Sequence, residues 1–230
     1  MEENRLIYFF RFFEMILGVV VTSLGLSFMF KSGLGQTSVT AFTQNISFVT
    51  GIKSGTLIIL FNMSCVLIQI LILKQEFQKI QFLQLIVAWL QGQVVNMICY
   101  QIPFFSELVI HDYWVQWVWM LVGIGFASYG VAMLMNANLV KHPFEELCMI
   151  LSKKLNVEFS TLRVRSDILF MLLSVMIIFL FKLDFSTLRE GTWVCMILLG
   201  KSMRVTFKIA NKLSIVNFME LHHKEMILEK

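Results

Sequence analysis

Long apolar stretches separated by short polar knots set the pattern of this chain. Six stretches, at about 7–30, 55–73, 78–101, 113–136, 166–182 and 188–209, approach or exceed the length needed to cross a bilayer, which takes about 20 mostly apolar residues. Backbone amides in hydrocarbon must be satisfied within their own segment, so each stretch predicts a helix. The alternating ten-residue segments of a β-barrel do not occur. After the first and the fourth stretch comes a shorter segment with an apolar stripe at helical spacing. In TSVTAFTQNISFVTG the stripe is Val39, Phe42, Ile46 and Val49; in PFEELCMILSKKLN it is Phe144, Leu147, Cys148, Leu151 and Leu155. Both segments are too short to span, which predicts helices that lie in the interface or dip in from one face. Pro143 suits a first helical turn, with Glu145 and Glu146 at its positive end.

Composition agrees. Of 230 residues, 57% are hydrophobic and 15% charged, and the mean hydropathy is +0.76. That leaves too little polar surface for a soluble domain of this size. The opening MEENRLIYFFRFFEMILG carries acids and no small-residue cleavage pattern, so the first stretch is expected to stay in the mature protein. The prediction is therefore an all-α polytopic membrane protein with the lipid bilayer as its first partner.

Charge sets the expected topology. With the N-terminus inside, 15 of the 19 Lys and Arg fall on the inner side, leaving Lys31, Lys53, Lys182 and Arg189 outside. The expected location is the bacterial cytoplasmic membrane, with both termini cytoplasmic. The net charge of +4 reads as topology, and no basic face for nucleic acid is visible. Cys65, Cys99, Cys148 and Cys195 form no CxxC pair and are expected to pack as small apolar residues.

The chain aligns with itself at an offset of 105: Gly18 falls on Gly123, Ser23 on Ser128, Gly25 on Gly130, Ser47 on Ser152 and Thr56-Leu57 on Thr161-Leu162. At an offset of 108, Phe77 meets Phe185 and Gly92 meets Gly200. The matching punctuation predicts two three-helix repeats, residues 1–101 and 113–210, followed by an amphipathic cytoplasmic tail at 211–230. Three crossings per repeat is an odd number, so the repeats must insert in opposite senses, with short amphipathic or re-entrant helices after helices 1 and 4. Inverted repeats are a recurring plan of secondary transporters.

The two knots resemble the turn GLGxxPxD of the YczE/YyaS/YitT-type family of bacterial integral membrane proteins. GLGQTSVT, residues 33–40, keeps the glycines but has Ser38 and Thr40 at the proline and acid positions. NLVKHPFE, residues 138–145, keeps Pro143 and puts Glu145 at the acid position. The resemblance implies a transporter-like architecture without a substrate, and the chain is too short for the soluble C-terminal domain of the YitT branch.

Ionisable and amide groups in apolar stretches are the functional candidates. Glu14 lies in the first stretch with Arg11 three residues before it. Gln84, Ala88 and Gln91 share a face of the third, with Gln93 and Asn96 further along; helix–helix glue and a lined polar path are both open readings. The second knot contributes Lys141, His142, Glu145 and Glu146, with Arg163, Arg165 and Asp167 nearby. Adjacent His222 and His223 point about 100° apart on a helix and make a poor chelate, so no metal or other cofactor is expected. No GxSxG, HExxH or Walker A motif occurs, which argues against an enzyme. The expected function is a secondary transporter or exporter of a small solute. The alternative is a membrane-embedded partner or regulatory subunit, with a homo-oligomer or a partner membrane protein docked on it.

Overall fold

The structure is a computed structural model that describes residues 2–214. Nine α-helices organise these residues, numbered here in chain order: α1 (Glu2–Ser32), α2 (Ser38–Thr50), α3 (Ser54–Leu73), α4 (Leu83–Asn96), α5 (Pro103–Ser106), α6 (Tyr113–Asn136), α7 (Pro143–Leu155), α8 (Phe159–Phe181) and α9 (Glu190–Leu213). Short 3₁₀ turns precede α4 and α9, and a π-turn over Met97–Gln101 extends α4. No strand occurs among the described residues. Five segments among them are long and apolar enough to cross a membrane: Arg5–Ser32, Ser54–Glu76, Lys79–Gln101, Tyr113–Asn136 and Phe159–Phe181.

Two predicted stretches need correction. The fifth is expected at 166–182, but α8 begins at Phe159. Arg163 and Asp167 pair one turn apart, and Arg163 also stacks over the Phe144 ring at 4.7 Å. A neutralised, stacked cation is compatible with a helix start that charge-free windows reject. The sixth, 188–209, corresponds to α9, which is not among the five apolar segments. Its later turns carry Lys201, Arg204, Lys208 and Lys212, which lower its hydropathy. The tail beyond 214, including His222 and His223, lies outside the described residues, as do the side chains of Lys201 and Arg204.

Small residues set the central packing. α1 and α6 cross antiparallel, Gly18 against Gly130 and Gly25 against Gly123 and Ala127. A Cβ on Gly25 would lie 2.3 Å from the Ala127 nitrogen, and one on Gly130 would lie 2.4 Å from the Thr22 nitrogen. Such close approach gives van der Waals contact where lipid offers no hydrophobic drive between helices. Around this pair α4 packs on α1, and α9 on α6. α3 and α4 form a second antiparallel pair. The short helices sit against long ones, α2 on α8 and α7 on α3.

Turn geometry repeats along the chain. α2 starts at Ser38 and α7 at Pro143, α3 at Ser54 and α8 at Phe159, each pair 105 apart. Positive φ occurs at Gly33 and Asn138, at Gly51 and Asn156, and at Lys74 and Lys182, although Lys74, with ψ −108°, does not share the left-handed conformation of Lys182. Among the described residues only Gly35, at φ +105°, has no counterpart. A Cβ there would also strike the Thr192 hydroxyl at 2.4 Å, so both backbone and space require glycine.

α2 is buried mainly through its polar side. Its polar side is the buried one, with Ser38, Thr40, Thr43, Asn45 and Ser47 inside, whereas Phe48 and Val49 are exposed. Of its apolar stripe only Val49 is exposed; Val39, Phe42 and Ile46 are half-buried, with the Phe42 ring 5.4 Å from that of Phe170. α7 buries Phe144, Leu147 and Cys148 of its apolar stripe and leaves Leu155 exposed, and Pro143 occupies its first turn as expected.

Candidate functional site

The site is built where the N-terminal turns of α2 and α7 converge. Val39 of α2 packs with Phe144, Leu147 and Cys148 of α7, and with Phe61 of α3 and Phe170 of α8. Ser38 donates its hydroxyl to the Asp167 carboxylate, which also receives Arg163. Because Arg163 stacks on Phe144, the Arg163–Asp167 pair of α8 clasps both short helices. Further along, Asn45 donates to the Ser174 hydroxyl at 2.6 Å and accepts from Thr187 at 2.8 Å. α2 therefore runs parallel to α8, its N-terminus against the middle of a long helix rather than at its end.

On the α7 side a carboxamide ladder joins α3 to α4. Gln69 donates to Gln84 at 3.0 Å and to the Pro143 carbonyl at 2.9 Å. One heptad away, Asn62 donates to Gln91 Oε1 at 3.2 Å, and His142 meets the same oxygen at 2.7 Å. That oxygen accepts, so Nε2 of His142 carries the proton. At the far end Asn96 takes the Gly55 N–H at 3.0 Å and donates to Thr56 at 3.0 Å. Two ladder oxygens, Asn62 Oδ1 and Gln69 Oε1, are buried without a partner among the described residues.

Charge and burial oppose each other at the start of α7. Burial holds the His142 imidazole down to about 4, with Arg163 adding to the effect. Burial pushes the Glu145 carboxyl up; Arg163 and Lys141 pull it down, and Asp167 pushes it up. Both side chains nevertheless keep part of their surface accessible.

Beside this cluster opens a vestibule of about 270 Å3. Gln78, Gln81 and Gln84 form one wall, and Asn138, Lys141 and Glu146 the facing one. Lys141 Nζ lies 3.5 Å from Glu146 Oε2. The matching turn at the other end of the molecule is shut. There the Gly191 N–H donates to the Leu34 carbonyl at 2.9 Å, Arg189 to the Gly33 carbonyl at 3.1 Å, and the Gln36 N–H to Thr192 at 3.3 Å.

The predicted site residues thus separate. Gln84, Gln91, Lys141, His142 and Glu145 come together around the vestibule and the start of α7. Asn96 is a clamp at the far end of the ladder, and Gln93 is exposed rather than lining the polar face. Glu14 sits on another seam, beside a cavity of about 60 Å3 between α1, α6 and α9, and accepts the Ser214 hydroxyl at 2.9 Å. All four cysteines are buried and free. No group of three or more potential metal ligands exists among the described residues. Sequence reasoning missed Asn62, Gln69, Asn45 and Ser174. The signal was present in the first two: Asn62 and Gln69 are seven apart, as are Gln84 and Gln91 opposite them.

A family model covers residues 9–208, and the chain belongs to that family, a family of unknown function (DUF6198). No match is found among curated proteins or among solved structures. The class defined by fold and family is thus a multi-pass, all-helical membrane protein.

Proposed function

We propose that this protein is a secondary transporter or exporter of a small solute in the bacterial cytoplasmic membrane, working by alternating access between two inverted three-helix halves. In this reading α9 is the sixth crossing, and the basic end of the bundle faces the cytoplasm. The paired positive-φ turns, the antiparallel α1–α6 crossing and the exchanged contacts of α2 with α8 and α7 with α3 support an inverted repeat. The resemblance to the YczE/YyaS/YitT-type turn belongs to the same proposal, with Glu145 at the acid position.

One observation carries the reading. Two turns that match at an offset of 105 are in opposite states: 33–36 is strapped to the start of α9, while 138–141 lines an open vestibule. A transporter open to one side only has this arrangement, and short helices ending at mid-membrane are the usual builders of such sites. The test begins with a metabolite comparison of cells with and without the protein. A solute nominated there must be moved by purified protein in liposomes, and Glu145→Gln must slow it. No movement of any nominated solute, with Glu145→Gln silent in cells, would sink the proposal.

A second reading, a membrane-embedded partner or regulatory subunit, is favoured by α8. That helix buries only Ser174 and Ile178 and exposes Ile168, Leu172, Met176 and Phe179. A stoichiometric partner cross-linked to α8 in native membranes would favour it.

A further inference from the structure

The residues that line the vestibule narrow the chemistry of its ligand, given the transport reading on which such a ligand rests. Among the described residues the lining contains two charges, Lys141 and Glu146. They lie 3.5 Å apart, longer than a tight charged hydrogen bond. Their side chains keep 39% and 18% of their surface, so the pair faces the cavity and is readily opened. A ligand with one charge would pair with one of them and strand the other, which is costly in a partly desolvated site. A ligand with both charges replaces one ion pair by two. The remaining polar lining, Gln78, Gln81, Gln84 and Asn138, offers donors and acceptors without net charge. Val140 and Phe207 supply an apolar wall. The space, about 270 Å3, lies at the small end of the range that small-molecule sites occupy.

We propose that the vestibule binds a small zwitterion, its anionic group on Lys141 and its ammonium on Glu146. The same chemistry is carried by a free amino acid and by an ethanolamine phospholipid headgroup, and the experiment separates them. Full-length protein in a maltoside detergent is melted with tryptophan fluorescence as the readout. The probes are leucine, N-acetyl-leucine and leucinamide, and, separately, nanodiscs of phosphatidylethanolamine or phosphatidylglycerol.

Leucine is expected to raise the melting temperature, with either blocked form binding roughly tenfold or more weakly. Lys141→Met and Glu146→Gln should each remove the effect. The charge-exchanged pair Lys141→Glu/Glu146→Lys should restore it, which shows that the single variants fail by charge and not by misfolding. Stabilisation by phosphatidylethanolamine alone assigns the site to a lipid headgroup. Equal response to the blocked forms, an unchanged response in the single variants, or no response to leucine or to phosphatidylethanolamine overturns the proposal. Binding without flux in liposomes leaves the zwitterion site standing and removes the transporter. Flux of a nominated solute that Lys141→Met and Glu146→Gln leave unchanged does the reverse.

Discussion

His142 donates its Nε2 proton to Oε1 of Gln91 over 2.7 Å. This bond joins the N-cap of α7 to the middle of α4, 51 positions earlier in the chain. Burial holds the imidazole neutral, with its pKa lowered to about 4. A group whose folded pKa lies below its unfolded value gives stability that is complete above the unfolded pKa, near 6.5, and is lost as pH falls toward 4. The melting temperature should therefore drop between pH 7 and pH 5, and the drop should shrink in His142→Gln, which keeps a donor for Gln91. An undiminished drop in that variant would assign it to other groups.

Glu145 has the opposite sign. Its pKa is raised from the ordinary value of 4.5, so its contribution is present at acid pH and lost as pH rises through the raised value. Glu145→Gln should melt higher than wild type at pH 7 and, on the transport proposal, should slow flux. Stability gained with function lost is the pattern of a group kept at a stability cost for a task. A variant that melts lower at pH 7 would contradict the burial argument.

The α1–α6 crossing predicts a graded glycine series. Gly25→Ala places a methyl against the Ala127 nitrogen at 2.3 Å and should cost about 1–3 kcal/mol, as overpacking does. Gly125, in the same α6, has nothing within 4 Å of its Cβ position, so Gly125→Ala should be neutral or slightly stabilising. Melting of both variants in detergent checks the contrast; equal effects would mean that the two helices do not touch at Gly25.

Thiol labelling reads the two turns. With the native cysteines buried, Gln36→Cys should resist a water-soluble maleimide, because Gln36 is 3% exposed and held by Thr192. Asn138→Cys, exposed in the vestibule, should react readily. Adding Arg189→Ala removes the bond to Gly33 and should raise the reactivity of Gln36→Cys several-fold. Equal labelling of the two positions from the start would mean that both turns are in the same state.

The Arg163–Asp167 clasp should be costlier to break than to replace. Asp167→Leu alone leaves Arg163 over Phe144 without its carboxylate, and Ser38 without its acceptor. Arg163→Met with Asp167→Leu removes both charges. Since both side chains are partly exposed, the single change should cost about 1–3 kcal/mol and the double one less, in line with ion pairs whose desolvation offsets their attraction. Additive losses in that cycle would show that the pair does not couple.

The hydrophobic pattern by itself determined that the chain is helical and membrane-embedded, because hydrocarbon leaves the backbone no other option over stretches this long. It also placed α2, α7 and the start of α7 at Pro143, since proline and a glycine or asparagine turn bracket a helix through purely local geometry. The matching punctuation was legible for the same reason: Gly33 and Asn138, and Gly51 and Asn156, share a positive φ, while most side chains between them differ. That α2 buries its polar side was beyond reach, because its partners Asp167 and Ser174 each lie 129 positions away in the chain. The tertiary structure alone also brought Gln91 to His142, and sent Glu14 to a different seam from Glu145. Those partners lie dozens to hundreds of positions apart, and helix packing, through close glycine contacts and buried amides, is what fixes such distances.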